Sequence, residues 1–168
     1  MSNFTPEEWR TLLALVSLVG AGAVGGMFFA FSSFVMPALA RLPRAEGIAA
    51  MQSINVTVLR PSFLGVFIGT ALLSVVAIVL ALRAPEAAGS MELLAAGLSY
   101  VVAVFLVTGM RNVPMNEALA RIDTTKAEEA EAGEYWEHYL RRWTRWNSVR
   151  TGASLAASLL FALAALAG

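Results

Sequence analysis

The chain has 168 residues, of which 58% are hydrophobic and 14% charged, with a formal net charge of +0. An average soluble domain carries roughly 25% charged residues, so an ordinary soluble core is excluded, and the lack of a basic excess argues against nucleic acid as a partner. There is no cysteine and a single histidine, His138, which excludes disulfides, thiolate sites and a cysteine nucleophile and leaves no expected metal centre.

The apolar residues fall into four uncharged blocks, and nearly all charge lies between them. The blocks run from Thr11 to Ala40, Pro61 to Leu82, Leu93 to Met110 and Thr151 to Gly168. Crossing a bilayer as a helix takes about 20 apolar residues, and in lipid the backbone must satisfy its own hydrogen bonds, so each block is expected to be a transmembrane helix. The expected fold is all-α: an integral membrane four-helix bundle forming a single membrane domain, 1–168, with spans near 11–36, 61–82, 91–111 and 149–167.

In the first block, Ala38-Leu39-Ala40 has the look of a signal cleavage site. The apolar run before it is longer than the roughly 7–15 residues of a signal peptide, and Glu7 and Glu8 replace the basic start, so a retained span is favoured. Gly22 and Gly26 in the first span and Gly65 and Gly69 in the second have the four-residue spacing that lets helices approach closely, and they are read as contacts. Ala153 and Ala157 in the fourth repeat the spacing, with contact and mere composition equally weighted. The same spacing permits self-association into a homo-oligomer.

The first connection carries Arg41, Arg44 and Arg60, and Ile48, Met51, Gln52 and Asn55 recur in it at the spacing of a short interfacial helix. Pro37 and Pro61 stand where a helix ends or begins. The second connection, with Pro85 and Gly89, is a plain turn. The third opens with Asn112-Val113-Pro114-Met115-Asn116, which closes the third span, and continues through an acidic run, Glu128, Glu129, Glu131 and Glu134, read as a solvated face. Trp136, Leu140, Trp143, Asn147 and Arg150 then fall at i, i+4, i+7, i+11 and i+14, one face of a long amphipathic cytoplasmic helix leading into the fourth span.

Lys and Arg set orientation. The third connection holds Arg111, Arg121, Lys126, Arg141, Arg142, Arg145 and Arg150, and with the first connection it outweighs Arg10 and Arg83 on the other side. The first and third connections are therefore expected in the cytoplasm and both termini outside, in a multi-pass protein of a bacterial-type inner membrane.

One constellation carries chemical interest. Gln52, Asn55 and Arg60 precede the second span, Asn112 and Asn116 end the third, and Asn147 and Arg150 start the fourth, so a closed bundle gathers them at one membrane face. Polar groups above an apolar cavity are the usual build of a small-molecule site. Each has a bland reading beside it. Trp136, Trp143 and Trp146 fit an interfacial belt better than a site. Arg60 and Arg150 can snorkel to headgroups. Asn112 and Asn116 can cap and turn a helix end, and His138 fits a solvated helix better than catalysis.

At these residues the sequence resembles the anthrone oxygenase-like family of small four-span membrane proteins, long a family of unknown function. The resemblance rests on Phe34-Val35-Met36-Pro37-Ala38-Leu39, Met51-Gln52-Ser53-Ile54-Asn55, Asn112-Val113-Pro114-Met115-Asn116 and Trp143-Thr144-Arg145-Trp146-Asn147-Ser148-Val149-Arg150-Thr151. It implies oxidation of an anthrone to an anthraquinone by molecular oxygen without a recognised cofactor, with the lipid bilayer and a hydrophobic aromatic small molecule as partners. Some relatives carry a His where this chain has Ser148, a departure that bears on catalysis.

That reaction needs a base for an acidic C–H proton and groups that stabilise an enolate oxygen. Asn112, Asn116 and Arg150 are the candidate catalytic residues; Gln52, Asn55, Arg60, Trp143, Trp146 and Asn147 are the candidate substrate-binding residues. Asn147 can join the enolate donors, Arg60 can add charge, and Trp143 and Trp146 can stack on a flat ring system. The base is not identified, His138 being the one side chain that titrates near neutrality unperturbed. The alternative is a non-enzymatic membrane protein that binds a lipid or quinone or assists a partner complex. A transporter ranks lower, because no charge lies deep within a span.

Overall fold

The computed structural model describes residues 5–126 and 130–168; Glu128 and Glu129 of the acidic run lie outside the described residues. Among the described residues the chain is helical, without strands. Helix α1 opens with a capping box: the Glu8 amide donates to Thr5 Oγ1 at 3.2 Å, and the Thr5 amide donates to the Glu8 carboxylate at 2.7 Å. It runs Pro6–Leu39. Helix α2 spans Arg44–Thr57, and α3 spans Pro61–Arg83, with Pro61 in its first turn, where the missing N–H costs nothing. Helix α4 runs Ser90–Leu119, and α5 runs Ala130–Ala167.

Four of these, α1, α3, α4 and α5, are long and apolar enough to cross a membrane. Their uncharged stretches are apolar on the outer as well as the inner face. Leu15, Val19, Leu72, Val79, Val102 and Leu159 stand exposed on the outside of the bundle, a surface suited to lipid chains and unsuited to water. Helix α5 has 38 residues; at 1.5 Å per residue only about 20 of them are needed for the hydrocarbon core, so its N-terminal half projects beyond it.

Pro37 and Pro114 do not end their helices, as the sequence suggested they would. Proline removes an N–H and clashes with the carbonyl four residues back. Here each is preceded by a wide π turn, Phe31–Val35 before Pro37 and Thr108–Asn112 before Pro114, and the helix continues past it. Hydroxyls supply local hydrogen bonds at these turns: Ser33 Oγ donates to the Phe29 carbonyl and Thr108 Oγ1 to the Val104 carbonyl, both at 2.7 Å. The third span therefore extends to Leu119.

Lipid is as apolar as leucine, so within the membrane the helices are held by close packing and hydrogen bonds rather than by the hydrophobic effect. The small residues at the contacts differ in part from those expected. Gly22 and Gly25 of α1 face Ser158 and Ser154 of α5, and a Cβ at Gly97 would meet the Ser74 carbonyl of α3 at 2.7 Å. A Cβ added at Gly26, Gly65 or Gly69 would meet no other part of the bundle within 4 Å, so these three are not contact points between the helices. Ala157 is fully buried and Ala153 packs beside it. Ser158 Oγ donates to the Leu18 carbonyl at 3.1 Å, Ser99 Oγ to Ala153 at 3.0 Å and Tyr100 OH to Phe67 at 3.2 Å. At the end distant from α2, Arg10 donates to Ser90 Oγ at 2.6 Å, and Gly89, at φ 71°, makes the left-handed turn that brings α4 against Ala164.

The opposite end carries a cap made of α2, the end of α4 and the projecting half of α5. Ile48 and Met51 of α2 are buried, and the Gln52 amide donates to the carbonyls of Leu119 and Ile122 at 2.9 and 3.0 Å. Trp136, Tyr139 and Trp143 form a stacked column, with ring centroids 5.6 and 6.4 Å apart. Trp136 and Trp143 are buried, so they are core of the cap rather than an interfacial belt. Outside the membrane the hydrophobic effect operates, and each such side chain contributes roughly 1.5–3 kcal/mol.

Candidate functional site

Beneath the cap, between α1, α2, α3, α4 and α5, lies a cavity of about 410 Å³. Its walls are mainly aromatic. Phe63 and Phe67 stack at 5.9 Å, Phe28 meets Phe67 edge-on at 6.5 Å, and Phe31 and Trp143 close the end under the cap. Both proline-associated π turns contribute lining, Phe31 from one and Thr108 and Asn112 from the other.

Arg150 supplies the charge. It is 3% exposed and lies over the Phe28 ring, its Cζ 4.1 Å from the centroid, and 5.5 Å from that of Trp143. It does not snorkel. Its Nη1 donates to Thr108 Oγ1 at 3.0 Å and its Nη2 to Asn147 Oδ1 at 2.7 Å, while Nε has no partner. Among the described residues the ion pairs join Glu137 to Arg44 and Arg141, and neither involves Arg150. A buried cation is expensive unless it is paired. This one is held by two neutral oxygens and two ring faces, beside space sufficient for a ligand oxygen.

Asn147 is fully buried and does not line the cavity. Its amide nitrogen donates to the Phe28 carbonyl at 2.6 Å and to Ser32 Oγ at 2.7 Å, so it fixes Arg150 from behind. Asn112 donates weakly to the Trp143 carbonyl at 3.4 Å and leaves Oδ1 buried without a partner. The Asn116 Oδ1 accepts from Tyr139 OH at 2.9 Å and Trp143 Nε1 at 2.8 Å.

Of the residues expected at the site, Gln52, Asn55, Asn112, Asn116, Trp143 and Arg150 line this cavity. Arg60 and Trp146 do not. Arg60 is exposed at the N-cap of α3, and Trp146 lies on another face of α5 under the Arg111 guanidinium, 4.9 Å away. His138 lines the groove on that other face. Ser148 is exposed; its Oγ donates to the Thr144 carbonyl and lies 3.0 Å from Ser32 Oγ.

Sequence reasoning passed over Phe28, Phe31, Phe63, Phe67, Thr108 and Glu117, all of which line the cavity. Phe28 with Phe31 and Phe63 with Phe67 stand at helical spacing beside the polar cluster, a usable signal for an aromatic wall. Glu117 directly follows Asn116 and is the only carboxylate among the cavity-lining residues.

The sequence model of the family described as anthrone oxygenase matches residues 63–160, more than half of the chain and about half of the residues around the cavity. No curated protein and no solved structure matches the chain.

Proposed function

The chain belongs to the anthrone oxygenase family, and from that membership we propose that it oxidises a hydrophobic, flat aromatic ketone of the anthrone type with molecular oxygen. The observation that carries the reading is the buried Arg150, with an unpartnered Nε, beside an aromatic-walled cavity. The volume, about 410 Å³, falls within the range of small-molecule pockets, roughly 300–1,000 Å³.

In this reading the polycycle lies against Phe63, Phe67 and Trp143, and its carbonyl oxygen points at Arg150. Glu117 takes one methylene proton, and the charge moves onto the carbonyl oxygen, where the guanidinium stabilises the enolate more than the ketone. Such differential stabilisation is what lowers a barrier. The enolate transfers an electron to oxygen, and the two radicals combine at the former methylene carbon. The peroxide takes back the proton from Glu117. Loss of the remaining C–H proton with cleavage of the O–O bond then leaves a second carbonyl. One anthrone and one O₂ give one anthraquinone and one water. Asn147 and Thr108 hold Arg150 in place, and Asn116 holds Trp143.

A second reading uses the same cavity without chemistry, since a guanidinium donates equally well to the neutral carbonyl of a quinone. Oxygen consumption by the purified protein with a panel of anthrones separates the two. The expected result is uptake above the spontaneous background that Arg150→Gln and Glu117→Gln both lose. Saturable quinone binding without any uptake by the wild-type chain would instead assign the cavity to binding alone. The Arg distribution supports placing the capped end in the cytoplasm; a C-terminal reporter active only in the cytoplasm would reverse that orientation.

A further inference from the structure

A second concavity, of about 690 Å³, lies on the opposite face of α5, outside the bundle. Arg141, Arg142, Arg145, Trp146 and Val149 line it, and from α4 Arg111 reaches over the Trp146 ring. Among the described residues no carboxylate lines it. Glu137 meets Arg141 at 3.8 Å between exposed side chains, a pairing worth about 0–1 kcal/mol. The oxidation proposed above uses none of these groups.

Their depth follows from the sequence. The uncharged stretch of α4 ends at Met110, and the next residue, Arg111, lies over the Trp146 ring of α5, so Arg111 and Arg145 stand at about the same depth on two spans. The groove thus sits where the hydrocarbon gives way to headgroups. From Val149 an exposed apolar track continues down one face of α5 through Ala156 and Leu163, at seven-residue intervals. Topology alone would be served by arginines anywhere in the connection. Here three share one turn and a half of helix, a fourth comes from another helix, and a tryptophan forms the floor.

We propose that this groove is a binding site for the headgroup of an anionic phospholipid, its phosphate held by Arg141, Arg142 and Arg145 and an acyl chain lying on the Val149 track. Guanidinium groups match phosphate oxygens in paired hydrogen bonds, and juxtamembrane basic clusters attract anionic lipid. Trp146 packs against the glycerol region, as interfacial tryptophans do.

The test is native mass spectrometry of the detergent-purified protein with equal amounts of phosphatidylglycerol or phosphatidylcholine. Phosphatidylglycerol adducts should survive activation several-fold better than phosphatidylcholine adducts. The triple variant R141Q/R142Q/R145Q should lose that preference, and R41Q/R44Q, which removes charge at the same end of the molecule but outside the groove, should keep it. A brominated phosphatidylglycerol should quench tryptophan emission more than its phosphatidylcholine counterpart, and Trp146→Phe should abolish the difference. Equal retention of the two lipids, or a preference unchanged in the triple variant, overturns the proposal. Displacement of the adducts by millimolar inorganic phosphate would overturn it in favour of a free-anion site.

Discussion

Arg150 donates to Asn147 Oδ1 at 2.7 Å, and Asn147 in turn donates to the Phe28 carbonyl at 2.6 Å, beside the π turn of α1. The buried cation is thus tied through one side chain to the backbone of a different span. Asn147→Ala strands the buried Nη2 donor of Arg150, at about 1–3 kcal/mol, and removes one of the bonds to the Phe28 carbonyl. We expect a lower thermal midpoint in detergent together with loss of turnover. Thr108→Val removes the Nη1 acceptor together with the hydroxyl bond to the Val104 carbonyl, and should lower turnover with a smaller shift in midpoint. Wild-type oxygen uptake by both variants would show that the orientation of Arg150 is irrelevant to the reaction.

Asn116 was expected to act on substrate, yet its Oδ1 already accepts from Tyr139 and Trp143. Asn116→Ala strands two buried donors and should destabilise the cap by about 1–3 kcal/mol for each. Asn116→Asp keeps the acceptor and should hold the midpoint near wild type. If the Ala variant melts normally but has no activity, Asn116 acts directly on the substrate.

The glycines give a packing test. Gly65→Ala and Gly69→Ala place a methyl where nothing lies within 4 Å, and Gly97→Ala drives one into the Ser74 carbonyl and Ile78. The first two should change the thermal midpoint little, or raise it slightly through helix propensity. Gly97→Ala should lower it by several degrees, an overpacking cost of about 1–3 kcal/mol. A large loss at Gly65 or Gly69 with none at Gly97 would contradict the helix contacts described here.

The four apolar helices were legible because a bilayer demands uninterrupted apolar length, and the uncharged blocks state that length directly. The face of α5 from Trp136 to Arg150 was legible from helical periodicity, and those positions are largely buried. Spacing within a span was a poorer guide. A four-residue glycine interval puts two glycines on one side of a helix but does not say whether a neighbour faces that side, which is why Gly22 packs and Gly65 does not. Proline was misread as a stop because a π turn can absorb it, and no residue pattern announced one. Arg150 and Arg60 looked alike as boundary charges. What separates them is tertiary: Arg150 points into a bundle that offers Thr108 and Asn147, whereas Arg60 stands at an exposed helix start.

The family resemblance read from the sequence implies a histidine at position 148 in some relatives, where this chain has Ser148, a difference that bears on catalysis only if the position reaches the substrate. In this fold it does not line the cavity. Ser148 is exposed, borders a shallow groove with Pro37 and Thr144, and donates to the Thr144 carbonyl one turn back at 2.9 Å. Arg150, two residues on, projects from a different side of α5, because successive residues turn about 100° around a helix with 3.6 residues per turn. Ser148→Ala should therefore leave the rate of anthrone oxidation within twofold of wild type across the pH range, while Glu117→Gln lowers it at least tenfold with substrate binding retained. Steady-state oxygen uptake, paired with quenching of tryptophan fluorescence by the substrate, measures both. If the Ser148 variant lost turnover and the Glu117 variant kept it, the proton would have to leave by way of the outer face of α5, and the cavity would be a binding pocket distinct from the site of chemistry.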